Sequence, residues 1–178
     1  MYKKFLTPIF VGIALVFSIT GCTSTKDTAS SDTNKKNIEI FTGKVDVEGK
    51  GVSITLTDNP ADKQHIYGIV RDVDIIEIVN ILKKVGAEVI SVNDERVLSI
   101  SKIKANKMMI RVNNNDFKPP FIIKAIGDPE VLNDELTMKL DYFMLRKNHI
   151  GIKIEKKDKL LIPKYKGNID FQYAKPIE

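Results

Sequence analysis

The stretch DVDIIEIVNILKKVGAEVISVNDERV, residues 72–97, changes its period partway through. Up to Val85 the apolar residues Ile75, Ile78, Val79, Leu82 and Val85 fall at helical spacing, with Glu77, Asn80 and Lys84 on the other side. Asp72 or Asp74 can cap this helix, and Asp74 with Glu77 three residues on fits a capping box. Lys83 and Lys84 complement the dipole at the other end, and Gly86 stands where a left-handed C′ residue is expected. Residues 88–92, EVISV, then read as a short strand that stops at the polar corner Asn93, Asp94, Glu95, Arg96.

Upstream, GVSITLTDN (residues 51–59) alternates Val52, Ile54 and Leu56 with Ser53, Thr55 and Thr57, which is a strand with one buried face. Asp58-Asn59-Pro60 ends it with turn chemistry, and a polar loop follows over residues 61–65. Strand, helix and strand of these lengths make a β-α-β unit with a right-handed crossover. Downstream, residues 97–103 and 108–112 flank KANK and read as a hairpin, broken off by NNND and Pro119-Pro120. FIIKAI (residues 121–126) is a further strand. The next stretch, GDPEVL, has Asp128 as N-cap, Pro129 at N1 and Glu130 in the first turn of a helix. Leu132, Leu136, Leu140 and Phe143 form its apolar face, with a break expected near Met138. GIKIE, a turn at residues 156–158 and KLLIP give two last strand segments, the second an edge strand stopped by Pro163. The order β-α-β, hairpin, β-α-β predicts an α+β domain of the ferredoxin-like α-β plait type. Its sheet would be mostly antiparallel, with two helices on one face and an inserted hairpin.

The 178 residues suffice for one such domain, expected over residues 38–178. The start of the chain reads differently. Lys3 and Lys4 precede an apolar run of about fifteen residues, shorter than the roughly 20 that span a bilayer and interrupted by Pro8. It ends in Ile19-Thr20-Gly21-Cys22, which resembles the bacterial lipobox. That resemblance implies a signal peptide over residues 1–21 and a thioether-linked lipid on Cys22, often with a further acyl chain on the new amino terminus. Two or more chains anchor stably where one is marginal. Cys22 is the only cysteine, so its modification leaves no thiol or disulfide, and excludes cysteine nucleophiles and Cys-ligated metals. Residues 23–37 are polar apart from Ala29 and read as a disordered tether. The expected location is therefore the outer face of the cell membrane, with the domain held just off the lipid.

The formal charge of +5 includes the two leader lysines, so the mature surface is mixed in sign with a slight basic excess. That suits an anionic membrane surface. An exported chain with no basic run interleaved with aromatics is not expected to bind nucleic acid.

The segments DVDIIEIVNILKKVGAEVISVNDERV and PPFIIKAIGDPEVL together resemble the YlxW-like bacterial family of unknown function, DUF 881. The shared pattern is an acidic helix start, an Asn-containing helix, GAE-x-I-S-x-N-x-x-R and P-P-x-x-I-x-A-I-G-D. It falls here on Asp72, Asp74, Asn80, Gly86 to Glu88, Ile90, Ser91, Asn93, Arg96, Pro119, Pro120, Ile123 and Ala125 to Asp128. The likeness covers roughly residues 49–163 and itself implies an α-β plait. It implies a loose association with the envelope, division or sporulation. Many members carry a transmembrane helix and a coiled coil before the domain, where this chain has a lipobox and a short tether, so a coiled-coil role does not carry over.

The candidate site is the corner with its surroundings: Asn93, Arg96, Asn113, Glu88 and Asp128. As an active site, Arg96 would bind an anion and Glu88 or Asp128 would act as base, in a cell-wall hydrolase or transferase. As a binding groove, Arg96, Asn93 and Asn113 would hold an extended peptide or a carboxylate on a glycan stem. As structure alone, Asn93 makes an Asx-type turn, Arg96 pairs with a carboxylate and Asp128 caps its helix. His65 and His149 lie at unrelated spacing in loops, without the pattern of a zinc site. No G-x-S-x-G elbow, calcium loop or phosphate-binding glycine loop is present. The reading expected from sequence is a non-catalytic interaction or scaffold module with envelope protein partners and no cofactor or metal. A small-ligand or peptide-binding module is the further alternative.

Overall fold

In the computed structural model, which describes residues 26–59, 68–144 and 150–177, the period change at Gly86 separates a helix from a strand. The helix is α2, Asp72–Lys84; the first helix of the chain, α1, spans Lys26–Phe41, and α3 spans Pro129–Met144. The strands are β1 Val47–Thr57, β2 Val89–Val92, β3 Glu95–Val97, β4 Ile103–Asn106, β5 Met109–Val112, β6 Asn115–Phe117, β7 Phe121–Ile126 and β8 Gly151–Ile162. Five of them make an antiparallel sheet in the order β3-β2-β7-β1-β8, and β4-β5-β6 make a second, three-stranded one. The expected α+β class and mostly antiparallel sheet are thus present, while the inserted hairpin is a small sheet of its own.

One face of the large sheet carries the core. Cross-strand register aligns Val52 with Ala125, Ile54 with Ile123 and Leu56 with Phe121, all buried. Ile90 and Val92 continue the same face on β2. Ile75, Ile78, Val79 and Leu82 of α2 and Leu132, Leu136 and Leu140 of α3 join this one cluster, each fully buried aliphatic contributing about 1.5–3 kcal/mol. Ile110 and Val112 bring the small sheet into it as well. The other face holds a smaller apolar group, Val89, Ile126, Leu160 and Ile162.

Ends of the elements depart from the expected pattern in ways that have local causes. The N-cap of α2 is Arg71, one residue before Asp72; Asp74 sits at N3 and its carboxylate accepts the Arg71 N–H at 2.8 Å. Asp72 is left to bridge outward, its Oδ2 accepting the Ala105 N–H of β4 at 2.8 Å. Gly86 takes φ 91, with Ala87 N–H on the Leu82 carbonyl and Gly86 N–H on that of Lys83, the two bonds of a Schellman end. α1 ends the same way at Gly43, φ 71, through Lys44 N–H to Glu39 and Gly43 N–H to Ile40.

Over residues 26–37, where composition suggests tether, the structure has helix α1; the stretch lacks Gly and Pro, and residues 31–37 are exposed. Three expectations are corrected. α3 runs without a break through Met138 to Met144. Residues 97–103 are not a hairpin arm: β3 ends at Val97 and β4 begins only at Ile103. Residues 156–158 do not turn; β8 continues and absorbs one extra residue as a bulge, Gly49 pairing Leu160 while Gly51 pairs Lys157. That bulge and the lysines Lys153, Lys156, Lys157 and Lys159 also blunt β8 as an exposed edge. Residues 1–25, Cys22 among them, the loop with His65, and His149 lie outside the described residues, as does the side chain of Phe143.

Leu136→Ala removes a side chain with no exposure from the joint of α3 and the sheet, and should cost about 2–5 kcal/mol in urea unfolding. Met138→Ala, 62% exposed two residues away, should stay within about 0.5 kcal/mol.

Candidate functional site

The corner is a two-residue hairpin turn. Val92 pairs Glu95, and Asn93 and Asp94 between them take φ 48 and 63, both positive as a type I′ turn requires. Asn and Asp tolerate that conformation, so Asn93 is a turn residue here, and no Asx turn is needed. Its side chain grips the start of β7: Oδ1 accepts the Ile122 N–H at 2.7 Å and Nδ2 donates to the Pro120 carbonyl at 3.4 Å. Lys124 of β7 pairs Asp94 at 2.7 Å.

Beyond the turn, alternation sends Glu95 and Arg96 to opposite faces. Glu95, opposite Val92, lies on the core side and is buried. Asn115 Nδ2 donates to its Oε1 at 2.9 Å, Lys166 Nζ reaches the same oxygen at 3.3 Å, and Asn113 Nδ2 comes to 3.4 Å of Oε2. The small sheet is therefore fastened to the large one through a carboxylate. Its own register is fixed by Asp116, which accepts from Arg111 at 2.8 and 2.5 Å and from Asn106 at 3.0 Å. Those hydrogen bonds, that of Arg111 foremost, hold the Asp116 carboxyl down at a pKa of about 2.

Arg96, opposite Ser91, faces the other side and is 2% exposed. The expected carboxylate partner is absent among the described residues. Instead Nη2 donates at 2.7 Å to the carbonyl of Ile40, in the last turn of α1. A cation there also suits the helix dipole. Burial pulls the guanidinium below its usual pKa, against a smaller opposing effect of Asp46. Nη1 has no hydrogen-bond partner among the described residues, and neither does the Ser91 hydroxyl. The Arg96 carbonyl accepts from Asn113 Nδ2 at 3.0 Å and from Ser101 Oγ at 3.3 Å.

Two grooves meet beside this residue. One, of about 350 Å³, lies between the end of α1, β2-β3 and the C-terminal segment; Arg96, Glu88, Phe41, Ile100 and Phe171 are among its walls. The other, about 430 Å³, lies between α2 and the loop before β4 and carries Lys83, Lys102, Lys104 and Asn80. Val97, Leu98, Ser99 and Lys83 belong to both. Of the residues singled out from sequence, Arg96 and Glu88 share a groove and Asn113 braces Arg96 from behind. Asn93 serves the turn. Asp128 caps α3, its Oδ1 accepting the N–H groups of Glu130 at 3.0 Å and Val131 at 3.3 Å. Sequence reasoning missed Glu95, Asn115, Ser101 and Lys166; for Glu95 the usable signal was the turn, since a two-residue loop fixes which side it faces. Among the described residues no group of three or more His, Cys, Asp or Glu could hold a metal ion, and no helix is long and apolar enough to cross a membrane.

A family described as "Bacterial protein of unknown function (DUF881)" matches residues 34–175. The chain is 34% identical over 129 residues to the UPF0749 protein YlxW of Bacillus subtilis, covering 70% of this chain and 55% of that one. It is 30% identical over 145 residues to the UPF0749 protein Rv1823 of Mycobacterium tuberculosis, with 74% and 47% covered. The chain thus spans about half the length of the curated relatives it matches. A crystal structure of an uncharacterized conserved protein from Mycobacterium tuberculosis superposes with a TM-score of 0.65 at 24% identity, covering 81% of this chain and 99% of that one. That likeness speaks for the fold.

The Asp116 carboxylate should titrate near pH 2 when followed by carbon-detected NMR, and Arg111→Ala should return it toward the ordinary carboxylate range. Because its folded pKa lies below the ordinary aspartate value, its contribution to stability is complete above that ordinary value. It is lost as pH falls toward 2. A midpoint unmoved by Arg111→Ala would contradict this account.

Proposed function

The chain belongs to the DUF881 family, and we propose that it acts as a lipid-anchored, extracytoplasmic interaction module at the cell envelope. Support for the anchor comes from the leader and from Cys22 in a lipobox-like setting. Support for the interaction role comes from one observation, the pair of confluent grooves around residues 97–99 beside a buried arginine. Concave surfaces of this size with few convergent polar groups are the usual form of a binding site. The exposed side chains of Phe41, Ile100 and Phe171 along one groove add apolar area of the kind that partners cover. We read the fold as a ferredoxin-like plait on the grounds that β2-β7-β1-β8 interleaves the two β-α-β units.

The hydrolase or transferase reading keeps Glu88 as a carboxylate beside Arg96, but its other candidate base, Asp128, is occupied at the start of α3. Binding asks less of the site and is the reading preferred. Association with division or sporulation is an extension of the family likeness.

A photo-crosslinking residue placed at Ser99 in living cells should capture a reproducible set of envelope proteins that an unrelated lipoprotein does not. Capture of the same abundant neighbours by both would count against an interaction module. Separately, Cys22→Ser should lose acyl labelling and leave the membrane fraction; unchanged retention would show that the anchor is misassigned.

A further inference from the structure

Arg96 brings a positive charge into the groove wall without a carboxylate in contact among the described residues. Capping α1 accounts for Nη2, but among the described residues Nη1 is buried with nothing to donate to. A buried cation with an idle donor, countered only in part by Asp46, is costly, and an anion seated against it would relieve both penalties. Lys83 adds a second cation to the lining, against the single carboxylate of Glu88.

Apart from Thr42 and Ser99 the rest of the groove is apolar. Ile40, Val89, Leu98 and Ile100 line it, with Phe41 and Phe171 (84% and 66% exposed) along its length. Three main-chain groups beside it are already engaged. The Arg96 carbonyl takes Asn113 and Ser101, Leu98 N–H donates to Ser101 Oγ at 2.9 Å, and the Leu98 carbonyl accepts the Ser101 N–H. A peptide laid along this wall would bring N–H and C=O groups and find these partners taken. A hydrocarbon chain brings none.

We infer that the groove binds a single-chain carboxylate amphiphile of the fatty-acid class, its head group completing Arg96 and its chain covered by Phe41, Ile100 and Phe171. This rests on reading the groove as a binding surface and specifies what that surface takes. A volume of about 350 Å³ falls within the range of small-ligand sites.

The test uses the full chain in nanodiscs of zwitterionic lipid, photolabelled with a diazirine-bearing dodecanoate and mapped by peptide mass spectrometry. Adducts are expected on Phe41, Ile100 or Phe171, with dodecanoate competing about tenfold or more better than its methyl ester. Ile100→Asp, and independently Phe171→Asp at an exposed position of the C-terminal segment, should abolish those adducts while thermal melting stays near that of the parent. Arg96→Lys should narrow the gap between acid and ester, because an ammonium lacks the planar fork. Adducts scattered over the surface, equal competition by the ester, or displacement by an apolar peptide with a free C-terminus as effective as dodecanoate would each overturn the inference. Crosslinking from Ser99 is a separate readout: specific partners captured there, with no groove labelling, would remove the ligand and leave the interaction module standing.

Discussion

The register of the β2-β3 turn is the constraint on which the assembly depends. Two residues with positive φ, Asn93 and Asp94, set Glu95 opposite Val92 and Arg96 opposite Ser91. Because side chains alternate, one turn delivers an anion to the core side and a cation to the other. The anion collects Asn113, Asn115 and Lys166, and so ties down the small sheet and the segment after β8. The cation collects the end of α1. A slip of one residue would exchange the two and strand both charges on the wrong face. Three peripheral elements thus hang on a strand of three residues.

The two buried charges differ from the ion pairs elsewhere. Lys156–Glu130 and Lys159–Glu48 link elements in solvent, where such pairs are worth little. Glu95 and Arg96 are withdrawn from water, and their cost is offset by neutral donors and a carbonyl rather than mainly by opposite charges. The amides of Asn113 and Asn115 do for Glu95 what the Ile40 carbonyl does for Arg96. Such arrangements are sensitive to geometry, which suits a corner that fixes the angle between layers.

Elements with a strong period were legible in the sequence. α2 shows its stripe at Ile75, Ile78, Val79 and Leu82, β1 alternates, and Asp128-Pro129-Glu130 announces α3. What escaped had no such signature. Residues 26–37 of α1 are polar apart from Ala29, so their composition reads as tether although nothing in it breaks a helix. The run at residues 156–158 is polar because β8 is an exposed edge strand, and in sequence an exposed bulge looks like a turn. In the candidate site, Asp128 as cap and Arg96 as a charged corner residue were readable. The partner of Arg96 was not, because a main-chain carbonyl 56 positions earlier carries no residue identity to read.

Both ends of the domain converge on the same place. Tyr165 N–H bonds the Gly43 carbonyl at 2.8 Å and Lys164 N–H bonds Asp46 at 2.7 Å, next to the Arg96 contact with Ile40. Tension applied to the chain through α1 would therefore load a short row of hydrogen bonds at the β3 edge before it reached the long β1-β8 ladder. The core would be shielded from a pull on α1, and the groove beside Arg96 would be the first part of the molecule to change shape under it.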